Sequence, residues 1–209
     1  MGEVLEFYRR CAALRQRFQD AALRTVPMPK LLEQARRLGL PVTEALAQIP
    51  DADLAFAFDL AVHTALPGRS RAIERVARQH RGAGEEEALV LRGLERAWFS
   101  VFRVLGPHPE AGLLLEDALL GGEAWVMDEA LAESAPAGTV LATRLARVRG
   151  FAITCGAVAP LDEAILAGFR RALAGAGTPP AEMAADPRFA LLIYQRALGF
   201  HLSDPDAEG

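Results

Sequence analysis

The sequence predicts an α+β protein: N-terminal helices, a five-stranded small antiparallel β-barrel of SH3-like or OB-like type, and C-terminal helices. Three observations carry that prediction. Between Trp98 and Pro160, five short apolar or alternating runs are separated by turn residues. On both sides of that block, apolar residues recur at three- and four-residue spacing, the period of a helix. The length of 209 residues, 51% hydrophobic and 24% charged, suffices for one well-buried unit of ordinary globular composition. The expected organisation is a helical region over 1–97, the barrel over 98–160 and C-terminal helices over 161–209, packed as one unit.

The first helix is expected from Gly2 to Leu23, with Val4, Phe7, Cys11, Leu14 and Phe18 on one stripe and Arg9, Arg10 and Arg17 opposite. Pro27 and Pro29 separate it from a short helix, Lys30 to Leu38, stopped by Gly39. Pro41 to Ile49 reads as another short helix. Asp51 serves as N-cap for the next, which stops before Pro67-Gly68. Ser70 caps a helix ended by Gly82 to Gly84, and Glu85, Glu86 and Glu87 open one more, where first-turn carboxylates complement the helix dipole.

Strands are expected at Trp98–Leu105, Gly112–Asp117, Glu123–Asp128, Thr139–Val148 and Phe151–Val158. Gly121-Gly122 supplies positive-φ freedom for a tight hairpin, and Arg149-Gly150 fits a second. Five such strands make no large sheet, and closure into a barrel hides their edges. Helical grammar resumes at Asp162, breaks over Gly175 to Pro180, and ends in an amphipathic run after Pro187. The tail, Ser203 to Gly209, is acidic.

No apolar run approaches the ~18 residues that span a bilayer, and the N-terminus lacks a signal-peptide core, so the expected location is cytoplasmic with no membrane partner. The two cysteines, Cys11 and Cys155, suggest neither a disulfide framework nor a thiolate metal site. Residues 1–97 hold 15 basic and 13 acidic side chains, a net of +2, whereas 98–160 hold 4 against 7, a net of −3. An acidic barrel disfavours nucleic acid, although Arg144, Arg147 and Arg149 keep RNA as an alternative.

The four histidines stand at no metal-ligand spacing, and no P-loop, GxGxxG or GxSxG occurs. No metal, cofactor or catalytic residue is assigned. Asp59 and His63 lie four apart on one helix face. Arg144 interrupts the face shared by Val140 and Ala142, and Asp117 ends an alternating strand, so a fork between them is expected to lock the barrel or bind an anionic partner. Trp98, Phe102 and Trp125 are large aromatics on short strands, suited to the core or to a recognition platform. Arg144, Asp117 and Trp125 are the candidate binding residues.

The pieces FAFDLAVHTALPGRSRAIERVARQ (56–79), FSVFRV (99–104) and GLLLEDALLGGEAWVMDEALAESAPAGTVLATRLARVRGFAITCGAV (112–158) resemble an uncharacterised bacterial protein group, some members of which end in a SEC-C zinc motif. That resemblance implies a helical frame around a small β-barrel. The cysteine-rich C-terminus is absent here, so no zinc site carries over. The expected function is non-enzymatic, an adaptor whose barrel engages another protein. The alternatives are an enzyme with Asp59, His63, Asp117 and Arg144 in one pocket between helices and barrel, or an RNA-binding barrel. The stripe of the first helix could also pair two chains as a homodimer.

Overall fold

The amphipathic N-terminal run folds into α1 (Gly2–Arg24), followed by α2 (Met28–Arg37), α3 (Asp51–His63), α4 (Ala72–Gln79) and α5 (Glu85–Glu95). Then come β1 (Trp98–Pro107), β2 (Leu113–Asp117), β3 (Glu123–Met127), α6 (Glu129–Ser134), β4 (Val140–Val148) and β5 (Phe151–Leu161). The chain returns to helix in α7 (Glu163–Ala176), α8 (Pro180–Ala185) and α9 (Pro187–Ala197). The computed structural model describes residues 2–42, 49–66, 68–80, 84–177 and 179–199. The helix expected at Pro41–Ile49, the break around Gly82 and the tail after Ser203 lie in whole or large part outside the described residues.

The stripe of α1 is buried within the chain. Phe7, Tyr8, Cys11, Phe18 and Ala22 pack against α4, α5 and β5. Two caps differ from expectation. Pro50, with Asp51 as the first helical residue, precedes α3, and α4 is opened by the Glu74 carboxylate, which accepts from Arg71 N–H at 2.8 Å. α6 was not expected. Its six residues are too few to show a period, and Asp128 starts it by accepting from Leu131 N–H at 3.0 Å.

The sheet is mixed, which corrects the expectation of antiparallel strands. Hydrogen-bonded neighbours run β1–β2–β3–β5–β4 and return to β1, a closed barrel. An odd ring cannot alternate direction all the way round, so one seam must be parallel. It falls between β3 and β5, at Val126↔Ala152 and Met127↔Ile153. After α6 the chain pairs β4 with β1, and the hairpin at Arg149-Gly150 then lays β5 beside β3 in the same direction. Arg149 sits in that turn at φ +53°, and its guanidinium lies over the Phe7 ring, 4.3 Å from the centroid.

Phe102, Val104, Leu115, Val126, Leu141 and Leu145 pack into one core inside the ring. The outward residues of β4 and β5 join two helix-facing cores. One, with Val140 and Ala142, gathers α2, α3 and α9; the other, with Ala146 and Val148, gathers α1, α4 and α5. Side chains from all three segments of the chain thus share cores. Buried apolar area stabilises at roughly 25 cal/mol per Å², so this helix-to-sheet contact contributes to holding the segments together.

One close approach sets the spacing of helix and sheet. A Cβ on Gly93 of α5 would lie 2.6 Å from the Arg147 carbonyl oxygen of β4. In an ordinary helix, glycine to alanine gains about 1 kcal/mol. Here Gly93→Ala is expected to cost about 1–3 kcal/mol, as overpacked cores do, seen as a lower denaturation midpoint with an unchanged slope.

Candidate functional site

Along the outward face of β4, Val140, Ala142, Ala146 and Val148 are apolar and Arg144 is the exception. Its position is shaped by a bulge. Thr143 pairs with Val158 and Leu145 with Thr154, so Cys155, Gly156 and Ala157 of β5 stand opposite Arg144 alone. Gly156 takes φ +101° there. The carbonyls freed from the ladder find other donors: Arg15 Nη1 donates to Thr154 O at 2.6 Å, Gln19 Nε2 to Cys155 O at 2.7 Å and Thr143 Oγ1 to Ala157 O at 2.7 Å.

Arg144 reaches α3. Its Nε donates to Asp59 Oδ1 at 2.9 Å and its Nη2 to Oδ2 at 3.0 Å, a bidentate fork between side chains only 8% and 1% exposed. Tyr194 of α9 donates its hydroxyl to the same Oδ2 at 3.0 Å. The guanidinium also lies over Phe99, 5.5 Å from the ring centroid. Burial alone would raise the Asp59 carboxyl, but the Arg144 charge and these hydrogen bonds hold it below its ordinary value. His63, one turn further along α3, is 3% exposed. Burial, reinforced by Arg144 and opposed by Asp59, pushes its pKa down to about 3, so the ring is neutral. Its Nδ1 has no hydrogen-bond partner among the described residues.

Three of the four residues expected to share a pocket, Asp59, His63 and Arg144, therefore meet, and Asp117 does not. The expected Arg144–Asp117 fork is corrected: Asp117 pairs with Phe102 and faces the ring interior, whereas Arg144 faces outward. Asp117 accepts from Ser100 Oγ at 2.5 Å, Trp98 Nε1 at 3.3 Å and the N–H groups of Leu119 and Leu120 at 3.1 and 2.8 Å, fixing the β2–β3 turn. Tyr194 was missed. The only hint was a tyrosine in an amphipathic helix, whose hydroxyl must find a partner when buried. A carboxylate already held by a bidentate arginine and a tyrosine is no free base, and the cluster joins α3, α9 and the sheet.

The three strand aromatics share no one face. Phe102 lies in the core and Trp98 is half-buried, with Arg147 5.4 Å from its ring centroid. Trp125 of β3 is half-buried, stacked on His108 at 4.1 Å and 13° and edge-on to Phe151 at 5.5 Å, with its Nε1 donating to Ala111 O at 2.7 Å. Beside it, Leu114 pairs with Trp125 and Glu116 directly with Glu123. Arg103, opposite Glu116, turns instead to Glu163 at 2.9 Å.

Burial pushes the thiols of Cys11 and Cys155 up to about 11 and about 12, so neither is an activated nucleophile. Among the described residues, no three His, Cys, Asp or Glu side chains are grouped as metal ligands would be, and no helix is long and apolar enough to cross a membrane.

Taken together, a helical frame and a buried charge cluster on a mixed five-stranded sheet define the class. The chain belongs to a family of unknown function, DUF7986, whose model matches residues 3–169. The match includes Asp59, His63 and Arg144 and stops before Tyr194. No curated protein and no solved structure matches the chain.

Two outcomes test the cluster. Arg144→Met is expected to cost about 3–5 kcal/mol in chemical denaturation, because a buried carboxylate loses its cation, while Asp59→Leu combined with Arg144→Met recovers most of that loss. The second is a pH dependence. His63 titrates at about 3 folded against 6.5 unfolded, so between those values the unfolded chain binds the extra proton. Stability should fall as pH drops from 6.5 towards 3, by about 1.4 kcal/mol per pH unit. The Asp59 contribution, present above its unfolded value of 3.8, is lost only at still lower pH. Urea titrations at stepped pH, with His63→Leu as the variant lacking the upper part of the slope, measure it.

Proposed function

We propose that this chain is a non-enzymatic recognition protein that binds a basic segment of another protein on the outer face of β2 and β3. The observation that carries this reading is the like-charged pair Glu116↔Glu123, set beside Leu114 and Trp125. Like charges directly opposite on a sheet are destabilising, and no described residue forms a salt bridge with either. A cation from a partner would relieve the pair, and an apolar side chain beside it would cover Leu114 and the indole. The helices pack mainly on β4 and β5, away from this face.

Ring order, the parallel β3–β5 seam and a helix between β3 and β4 favour the OB-like over the SH3-like reading. OB-like barrels use the face of their second and third strands for ligands, together with the β1–β2 and β4–β5 loops. His108 lies in the first of those loops and Gly150, 4.0 Å from the Trp125 ring when given a Cβ, in the second. The acidic pair turns such a face away from phosphate and towards a basic peptide. Arg147 and Arg149, which favoured RNA, lie over Trp98 and Phe7. Kinship with bacterial proteins and residence in the cytoplasm belong to the same reading.

Affinity capture from native lysate with the intact chain tests it. Proteins retained at low salt are expected to be lost at raised salt, with Glu123→Lys and with Trp125→Ala, while Glu123→Lys, which sets opposite charges across the pair, melts no lower than the wild type. Identical partner profiles for wild type and both variants would remove this face from consideration.

A further inference from the structure

His63 holds a proton that no described residue accepts. Gln19 Nε2 donates one hydrogen to Cys155 O at 2.7 Å, and its other faces His63 Nε2 at 3.4 Å. The neutral ring therefore accepts at Nε2 and carries its hydrogen on Nδ1. That Nδ1–H is buried and unpartnered among the described residues. An orphaned donor of this kind costs about 1–3 kcal/mol.

His63 is one of the residues lining a cavity of about 520 Å³ between the α3–α4 connection, the start of β1, Arg144 and α8. Ligand pockets span about 300–1,000 Å³. Its other polar groups are mostly donors too. Arg144 spends Nε and Nη2 on Asp59, leaving Nη1 with no partner among the described residues. Arg71 spends Nε and Nη2 on Glu74 and the Glu95 carbonyl. Arg69 stands exposed at the rim with no described ion pair. Of the acids in the wall, Glu74 is bound to Arg71 and Asp186 to Arg188. Apart from Thr64, whose hydroxyl donates to Leu60 O, the remaining wall is apolar: Trp98, Phe99, Leu120 and the alanines of α8. Leu66, 77% exposed, stands at the mouth.

We infer that this cavity binds an organic acid, with an anionic oxygen accepting from His63 Nδ1 and the Arg144 guanidinium, Arg69 over its outer oxygen, and an apolar body against Trp98 and Phe99. The missing element of the site is an acceptor, and an anion supplies acceptors only. The site is separate from the β2–β3 face, and either can fail without the other.

Calorimetric titration and thermal melts of the intact chain with benzoate and hexanoate test it, with benzylamine and inorganic phosphate as controls. A saturable rise in melting temperature with the two acids, absent with benzylamine and weaker with phosphate, is expected. Arg69→Gln, on the exposed rim, should weaken binding severalfold without changing the ligand-free melt. His63→Leu should raise the ligand-free melting temperature, since it removes a donor without an acceptor, and weaken binding about tenfold. A merely structural His63 would show the opposite: a lower melting temperature and unchanged affinity. No saturable response to either acid, a response to benzylamine equal to that of benzoate, or undiminished binding in both variants overturns the proposal.

Discussion

The fork between Arg144 and Asp59 joins parts of the molecule that share no backbone hydrogen bonds. It spans 85 residues of sequence, is nearly solvent-free, and sits where the two helix-facing cores meet on the outer side of β4. Taking both charges out of water costs several kcal/mol per ion, and only bidentate geometry with further hydrogen bonds offsets that cost. Tyr194 supplies one such bond and the Phe99 ring a face for the cation. The fork therefore contributes orientation more than net stability: α3, α9 and the sheet can meet in one arrangement without leaving a charge unpaired.

The bulge on β5 follows from the same constraint. Three residues opposite one interrupt the ladder, and the freed carbonyls are met by side chains from α1 and β4. Satisfying the Cys155 carbonyl uses Gln19, and Gln19 in turn sets which nitrogen of His63 carries hydrogen. A choice made at a backbone irregularity thus reaches a residue in the wall of a cavity.

Much of the architecture was legible because turn chemistry is local. Gly121-Gly122 and Arg149-Gly150 mark hairpins whatever surrounds them, and the five strands fall within a few residues of expectation. Pairing between distant strands is not local. Alternation places Val126 and Ala152 on inward faces but says nothing of their direction, although an odd ring requires one parallel seam. Arg144 was legible as an anomaly on an apolar face, and its partner was not. Asp117 looked suitable because it shares the sheet, yet it points into the ring, while the true partner lies on a helix that no periodicity links to β4. Tyr194 and α6 were hidden for related reasons, one by distance and one by brevity.

The parallel seam rests on two residue pairs, against eight for the neighbouring β4–β5 ladder. It is the weakest link in the ring, and side chains reinforce it from outside. Thr154 of β5 donates to Asp128 at the end of β3. Arg15 and Gln19 of α1 grip β5, while Arg9 and Tyr8 of the same helix meet Glu129 of α6, just beyond β3, at 2.8 and 3.3 Å. The N-terminal helix thus acts as a clasp across a slit. Loss of its grip would let the ring gape into an open sheet with two bare edges, so local opening of the sheet is coupled to the helix that begins the chain.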